Sequence, residues 1–194
     1  MNDFSSHYKT VVVPALREKF GLSNPLSVPK VTRVTLNVGV GKSLKDPAVL
    51  EIVQDSLSRI TGQRPVKTKA KKSIASFKVR KGQVIGFSVT LRKRHMEDFL
   101  SKLIHVALPR VRDFRGLEQS SIDQSGNFSI GFRENLAFPE IKSDEIERTH
   151  GLEVSIATTA KNRETGLALF TLLGFPFKKE GVKSGKAGSA GKSS

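Results

Sequence analysis

The 194-residue chain has no cysteine, no tryptophan and a single tyrosine. Without cysteine there can be no disulfide, no thiolate metal ligand and no cysteine nucleophile, and the composition fits a reducing cytoplasm. No apolar run approaches the length needed to span a bilayer. The opening stretch MNDFSSHYKT lacks an apolar core behind a basic start, so no secretory signal is expected and the protein should be soluble. Acidic residues are also scarce, with 18 Asp and Glu against 33 Lys and Arg, a formal net charge of +15. That balance predicts attraction to a polyanion, either nucleic acid or an anionic membrane, and says little about fold. At 37% hydrophobic residues the chain can bury a core, in which aromatic packing falls to twelve phenylalanines.

The surplus charge is concentrated. Between Arg64 and Arg94 lie Arg64, Lys67, Lys69, Lys71, Lys72, Lys78, Arg80, Lys81, Arg92, Lys93 and Arg94, with no Asp or Glu among them. Near-alternating stretches flank a Gly-, Ser- and Lys-rich middle, so the segment reads as two strands joined by a long basic loop. A loop that repels itself this strongly is expected to need a polyanion, here RNA, to become ordered.

Elsewhere the pattern alternates between helix and strand. Phe4, Tyr8, Val11, Val12, Ala15 and Leu16 recur at helical spacing. Pro14 inside that pattern predicts a kink or two short helices. In Val31–Val38, Thr32, Val34, Leu36 and Val38 share a core-facing side, and Arg33, Thr35 and Asn37 share a wet one. Asp46-Pro47 starts a helix whose stripe is Val49, Ile52, Val53, Leu57 and Ile60, closed by Gly62. A strand from about Val84 to Arg92 turns Phe87, Val89 and Leu91 inward and Ser88, Thr90 and Arg92 outward. Met96 to Ala107 is a strongly amphipathic helix stopped by Pro109. Strands follow at Asn127–Arg133 and Leu152–Thr158, then a helix capped by Asn162 and ended by Gly174 and Pro176. The segments 113–126 and 134–150 read as turns and loops. The expected fold is α+β: one domain over residues 1–177, an antiparallel β-sheet with helices packed on one face and a long basic β-hairpin loop. Residues 178–194, almost free of large apolar groups, are expected to form a disordered basic Lys/Gly/Ser tail.

Catalytic readings fail on spacing. Gly39-Val40-Gly41-Lys42-Ser43 imitates a phosphate-binding loop, but Leu36 stands where its first glycine belongs and Leu44 where the dinucleotide pattern needs a third. A flexible strand-to-helix turn explains it, and a magnesium-dependent nucleotide enzyme is set aside. His7, His95, His105 and His150 are scattered without metal-ligand spacing. Glu134, Glu140, Asp144, Glu145 and Glu147 fall in a loop, where solvation or a basic protein partner accounts for them better than acid–base chemistry. No catalytic residue, metal site or cofactor is expected. Membrane attachment through the polybasic tail is the other alternative set aside.

Positive charge coincides instead with polar strand faces. If the two strands are neighbours, Arg33, Thr35 and Asn37 lie beside Ser88, Thr90 and Arg92, a surface suited to phosphates and 2′-hydroxyls. Phe77, between Lys72 and Lys78, is placed either to stack on a base or to anchor the loop locally.

The stretches VPKVTRVTLNVGVG (28–41), TGQRPVKTKAKKSIASFKVRKG (61–82), GFSVTLR (86–92), LPRVRDFRGL (108–117), GNFSIGFRENLAFPEI (126–141), GLEVSIATTAK (151–161) and GFPF (174–177) carry a resemblance. In that order they resemble the bacterial form of the universal large-subunit ribosomal protein five family, which binds 5S ribosomal RNA. The resemblance implies a non-catalytic structural constituent of the cytoplasmic 50S subunit, holding 5S rRNA against large-subunit rRNA in the central protuberance. It implies rRNA contacts by Arg33, Thr35, Asn37, Gln63, Phe77, Thr90 and Arg92. It also implies that the loop holding Lys71, Lys72, Ser73, Lys78, Arg80 and Lys81 meets P-site tRNA. A small-subunit head protein among its neighbours is expected near residues 113–148. The tail beyond Phe177 is longer than the family core requires.

Overall fold

The computed structural model describes residues 4–41, 47–77, 79–141 and 149–178. The expected N-cap Asp46, Lys42, Ser43 and Leu44 of the glycine turn, Lys78 of the basic loop, Asp144, Glu145 and Glu147, and the tail from residue 179 lie outside the described residues.

Period-two alternation yields five strands among the described residues: β1 (Val31–Gly39), β2 (Val66–Lys69), β3 (Val84–Leu91), β4 (Phe128–Phe132) and β5 (Leu152–Thr158). They form one antiparallel sheet in the order β2-β3-β1-β5-β4. Central β1 therefore has neighbours from two distant parts of the chain. Val34, Leu36 and Val38 of β1, Phe87, Val89 and Leu91 of β3, and Leu152, Val154 and Ile156 of β5 are buried on one face. Thr32 departs from the expected pattern: the β1–β5 register slips between Val31 and Arg33, and the exposed Thr32 hydroxyl donates to the Ala157 carbonyl at 3.0 Å. An extra residue in one strand flips the alternation, which removes Thr32 from the core side.

The helices cover the apolar face. At the N-terminus α1 (Phe4–His7) passes through a π-helical turn, Tyr8–Val12, into α2 (Val13–Phe20). The second long helix does the same: α4 (Lys93–Lys102) widens into a π turn at Leu103–Ala107 before α5 (Leu108–Arg110). In both, a proline (Pro14, Pro109) follows two residues after the widened turn. A proline lacks the N–H and its ring crowds the carbonyl four residues back, and a π turn relieves both problems. Pro14 thus divides the first helix as expected. Pro109 is taken into the last helical turn, which ends at Arg110 rather than before the proline.

Met96, Phe99, Leu100, Leu103, Ile104, Ala107 and Leu108 form one buried stripe along this second helix. From α3 (Pro47–Thr61), Val53, Leu57 and Ile60 enter the same core, and α6 (Arg163–Leu172) adds Ala168, Leu169 and Phe170. Gly62, at φ 66°, closes α3 by donating to the Ser58 carbonyl at 2.8 Å. The Asn162 side chain caps α6 by accepting from the Thr165 N–H at 2.9 Å.

Two phenylalanine clusters fill the layer between sheet and helices. Phe128 of β4 lies 5.4 Å from Phe170, 5.5 Å from Phe175 and 5.9 Å from Phe177, ring centre to ring centre. Phe138 meets Phe99 at 6.1 Å and Phe132 at 5.5 Å. One ion pair is set into this layer. The half-buried Lys102 ammonium binds the Glu140 carboxylate and donates to the Ile60 carbonyl at 2.7 Å, placing a cation at the C-terminal end of α3. Glu140 thus has a structural role within the acidic loop. At the turn before β4, the side chain of Asn127 hydrogen-bonds the Asp123 carboxyl and is the first cause holding it below its ordinary pKa.

Candidate nucleic-acid interface

The helices occupy one side of the sheet and leave the other open. Residues directly opposite in an antiparallel pair share a face with their Cβ atoms about 5 Å apart. Register therefore assembles the open face row by row. Thr35 faces Thr90 of β3 on one side and Ser155 of β5 on the other, and Ser155 faces Ser129 of β4. The next row is Val66, Ser88, Asn37, Glu153 and Gly131, crossing all five strands. Beyond Thr35 comes Arg33, opposite Ala157. Arg92 follows β3 directly and is exposed, like Arg33. The condition set by the alternation is met: β1 and β3 are neighbours, and Thr35 and Thr90 are opposite each other.

These rows are small and polar. The side chains of Thr35, Asn37, Arg33 and Arg92 make no hydrogen bond or ion pair with the described residues. Ser88 donates to the Leu36 carbonyl at 3.2 Å, and the Ser129 and Ser155 hydroxyls pair at 3.1 Å. Gln63, in the turn between α3 and β2, reaches the same end of the sheet: its amide nitrogen lies 3.5 Å from the Thr90 carbonyl oxygen. Lys93, immediately after Arg92, is held at φ 51°, an uncommon conformation that turns the chain sharply out of β3.

The basic loop projects from the opposite end of β3. Ile74 and Val79 exchange backbone hydrogen bonds at 2.9 and 3.2 Å. The Gly82 N–H donates to the Ala70 carbonyl at 2.9 Å, and the Lys81 N–H donates to the Ser73 hydroxyl at 3.0 Å. The loop is thus a second, smaller hairpin extending the β2–β3 edge. Backbone bonds and the Ser73 hydroxyl join its two limbs within the chain itself. Lys71, Lys72, Arg80 and Lys81 are exposed and make no ion pair with the described residues.

Phe77 lies at the tip with 72% of its surface exposed, so it is not a local anchor tucked under the loop. Eight residues of β3 separate the hairpin from the Arg92 end, roughly 25 Å of extended chain. The fold gathers Arg33, Thr35, Asn37, Gln63, Thr90 and Arg92 into one patch and sets Phe77 apart with the hairpin lysines. Ser129, Glu153 and Ser155 belong to the open face as well. Their signal in the sequence was the outward half of the alternation in the last two strands, readable only once β5 was known to flank β1.

Under the hairpin runs a groove of about 1250 Å³ lined by Val49, Ile52 and Val53 of α3 together with Ile74, Phe77 and Val79. No group of His, Asp or Glu suited to a metal ion occurs among the described residues, and no described helix is long and apolar enough to cross a membrane.

Sequence comparison supplies a family for this fold. The profile of ribosomal protein L5 matches residues 24–80, and the profile of the C-terminus of the same ribosomal family matches residues 84–177. The large ribosomal subunit protein uL5 of Desulfatibacillum aliphaticivorans is 49% identical over 179 residues, covering 92% of this chain and all of the relative. The chain belongs to the ribosomal protein L5 family. The protein of the same name from Caldanaerobacter subterraneus subsp. tengcongensis is also 49% identical, covering 92% of this chain and all of the relative. That from Herpetosiphon aurantiacus is 48% identical over 171 residues, 88% of this chain and 96% of the relative. The L5 family is one of structural ribosomal proteins rather than enzymes. The join between its two profiles, residues 81–83, falls in the turn that returns the basic hairpin to β3.

Proposed function

We propose that this protein binds 5S rRNA in the large ribosomal subunit of the cytoplasm and attaches it to large-subunit rRNA in the central protuberance. The open sheet face is the 5S-binding surface, with Arg33, Thr35, Asn37, Gln63, Thr90 and Arg92 as its central contacts. Phe77 and the hairpin bearing Lys71, Lys72, Ser73, Lys78, Arg80 and Lys81 form a second contact surface, directed at P-site tRNA. The loops around 113–148 meet a small-subunit head protein, and residues 178–194 form a basic tail outside the RNA-binding domain. The observation that carries the reading is the polar row Thr90–Thr35–Ser155–Ser129, with Asn37 and Arg33 on adjacent rows: hydrogen-bonding groups on a regular sheet, of which Thr35, Asn37 and Arg33 have no side-chain partner among the described residues, with cations at its edge. Such a surface fixes register on a sugar–phosphate backbone through neutral bonds and supplies affinity through charge.

Asn37→Ala and Thr90→Ala are each expected to weaken 5S rRNA binding by about 1–3 kcal/mol, measured by gel-shift titration, with unchanged thermal midpoints. Unchanged affinity in both variants would remove these residues from the contact. Separately, Lys71, Lys72 and Lys78 replaced together by Ala should leave 5S affinity nearly intact and weaken the retention of P-site tRNA by reassembled ribosomes. An equal loss of 5S affinity would mean that the hairpin and the sheet act as one surface.

A further inference from the structure

One residue on the open face has the wrong charge for a phosphate-binding surface. Glu153 of β5 is exposed, lies directly opposite Asn37, and makes no hydrogen bond or ion pair with the described residues. Beside a polyanion an idle carboxylate only repels. It becomes useful when it accepts hydrogen bonds, one from a ribose 2′-hydroxyl or two at once from the paired N–H donors of a base edge, whereas phosphates offer none.

The position on its other side is equally unexplained by the fold. Gly131 of β4 is the direct partner of Glu153, has no positive φ, and a Cβ built there would meet nothing within 4 Å. Gly39, the last residue of β1, is open in the same way, whereas Gly86 and Gly166 have internal reasons. At Gly86 a Cβ would fall 2.5 Å from the Val38 carbonyl oxygen, and at Gly166 it would fall 2.5 Å from the Gly126 Cα. A glycine inside a strand that neither backbone conformation nor packing requires marks a place where something outside the chain comes close.

Resting on the 5S reading above, we infer that Asn37, Glu153 and Gly131 form a base-reading niche that takes the Watson–Crick edge of an unpaired guanine. The guanine edge presents two parallel N–H donors, from N1 and N2, which match the two carboxylate oxygens of Glu153. The bare backbone at Gly131 lets the base lie against the sheet, and the Asn37 amide, the cross-strand neighbour, bonds the remaining edge. Single-stranded bases are the part of RNA that proteins read by such edges. The niche adds discrimination to a surface whose arginines supply affinity without it.

The test turns on the sign of one substitution. Glu153→Gln keeps the shape and removes the charge. A carboxylate that merely faces phosphates makes this variant bind every RNA about two- to threefold more tightly at low salt. A carboxylate that reads guanine makes it bind 5S rRNA about tenfold more weakly, with affinity for a random RNA duplex unchanged or raised. Gly131→Val, which the open space tolerates, is expected to give a similar loss with an unchanged thermal midpoint. A dicarbonyl reagent that adds across N1 and N2 of unpaired guanines supplies the second readout. The unaltered protein protects at least one such guanine in 5S rRNA, and that guanine stays reactive in the complex with Glu153→Gln at saturating protein. Tighter 5S binding by Glu153→Gln, or the same protections in both complexes, overturns the niche while leaving the 5S reading intact. No complex between the unaltered protein and 5S rRNA overturns both.

Discussion

Arg33→Gln combined with Arg92→Gln is expected to weaken 5S rRNA binding by about 3–5 kcal/mol at moderate salt, roughly two to four orders of magnitude. Both side chains are exposed and make no ion pair with the described residues, so neither guanidinium must abandon a partner to reach RNA. A charge-assisted hydrogen bond is worth roughly 1.5–3 kcal/mol, and the two arginines act at the same end of the sheet. Glutamine keeps the length and some hydrogen-bonding capacity, which isolates the charge. The slope of log affinity against log salt should become shallower by about 1.5–2, because each neutralised phosphate contributes about 0.7–0.9. Filter-binding or fluorescence titrations over a salt series measure both quantities. The lysine pair, Arg33→Lys with Arg92→Lys, should restore the slope but only part of the affinity, since an ammonium cannot hold a phosphate bidentately. Loss of affinity with an unchanged slope would mean that these residues do not meet phosphates.

Phe128→Ala is expected to lower folding stability by about 3–5 kcal/mol in a urea titration. The ring is fully buried and is the hub of its cluster, touching Phe170 of α6 and Phe175 and Phe177 of the C-terminal segment. Truncation therefore removes transfer free energy, leaves a cavity between sheet and helix, and takes away three ring contacts that add to simple burial. The cluster lies directly behind the open face. Phe128 pairs with Ile156 beside the Ser129–Ser155 row, and the Leu117–Phe177 bridge ties the C-terminal segment back to the 113–117 turn. Phe128→Leu should recover more than half of the loss. A loss below about 1 kcal/mol for Phe128→Ala would mean that the core there closes around the gap.

Local pattern carried most of the elements. Alternation placed Val34, Leu36 and Val38 inside and Arg33, Thr35 and Asn37 outside, and the helical spacing from Met96 to Ala107 marked a stripe whose members are buried or nearly so. It failed where the backbone departs from an ideal period. A slip of one register beside Thr32 moved that residue off the core side. The π turns before Pro14 and Pro109 arise because a proline demands room from the turn before it, and Pro109 consequently lies within the helix it was expected to stop.

Composition and periodicity by themselves determined the charge surplus and its concentration between Arg64 and Arg94, the two-layer α+β character, and the polar side of each strand. These depend on the residue and its near neighbours, because side-chain direction repeats every two residues in a strand and every 3.6 in a helix. Only the tertiary structure decided which polar sides join. β5 flanks β1 from more than a hundred residues away, and that pairing brings Glu153 to Asn37, Ser155 to Thr35 and Gly131 to Glu153. It also decided that Phe77 stands with the hairpin lysines, because the length of β3 separates it from the arginines. Strand order is set by how distant apolar faces pack into one core, a property of the whole chain that no local window contains.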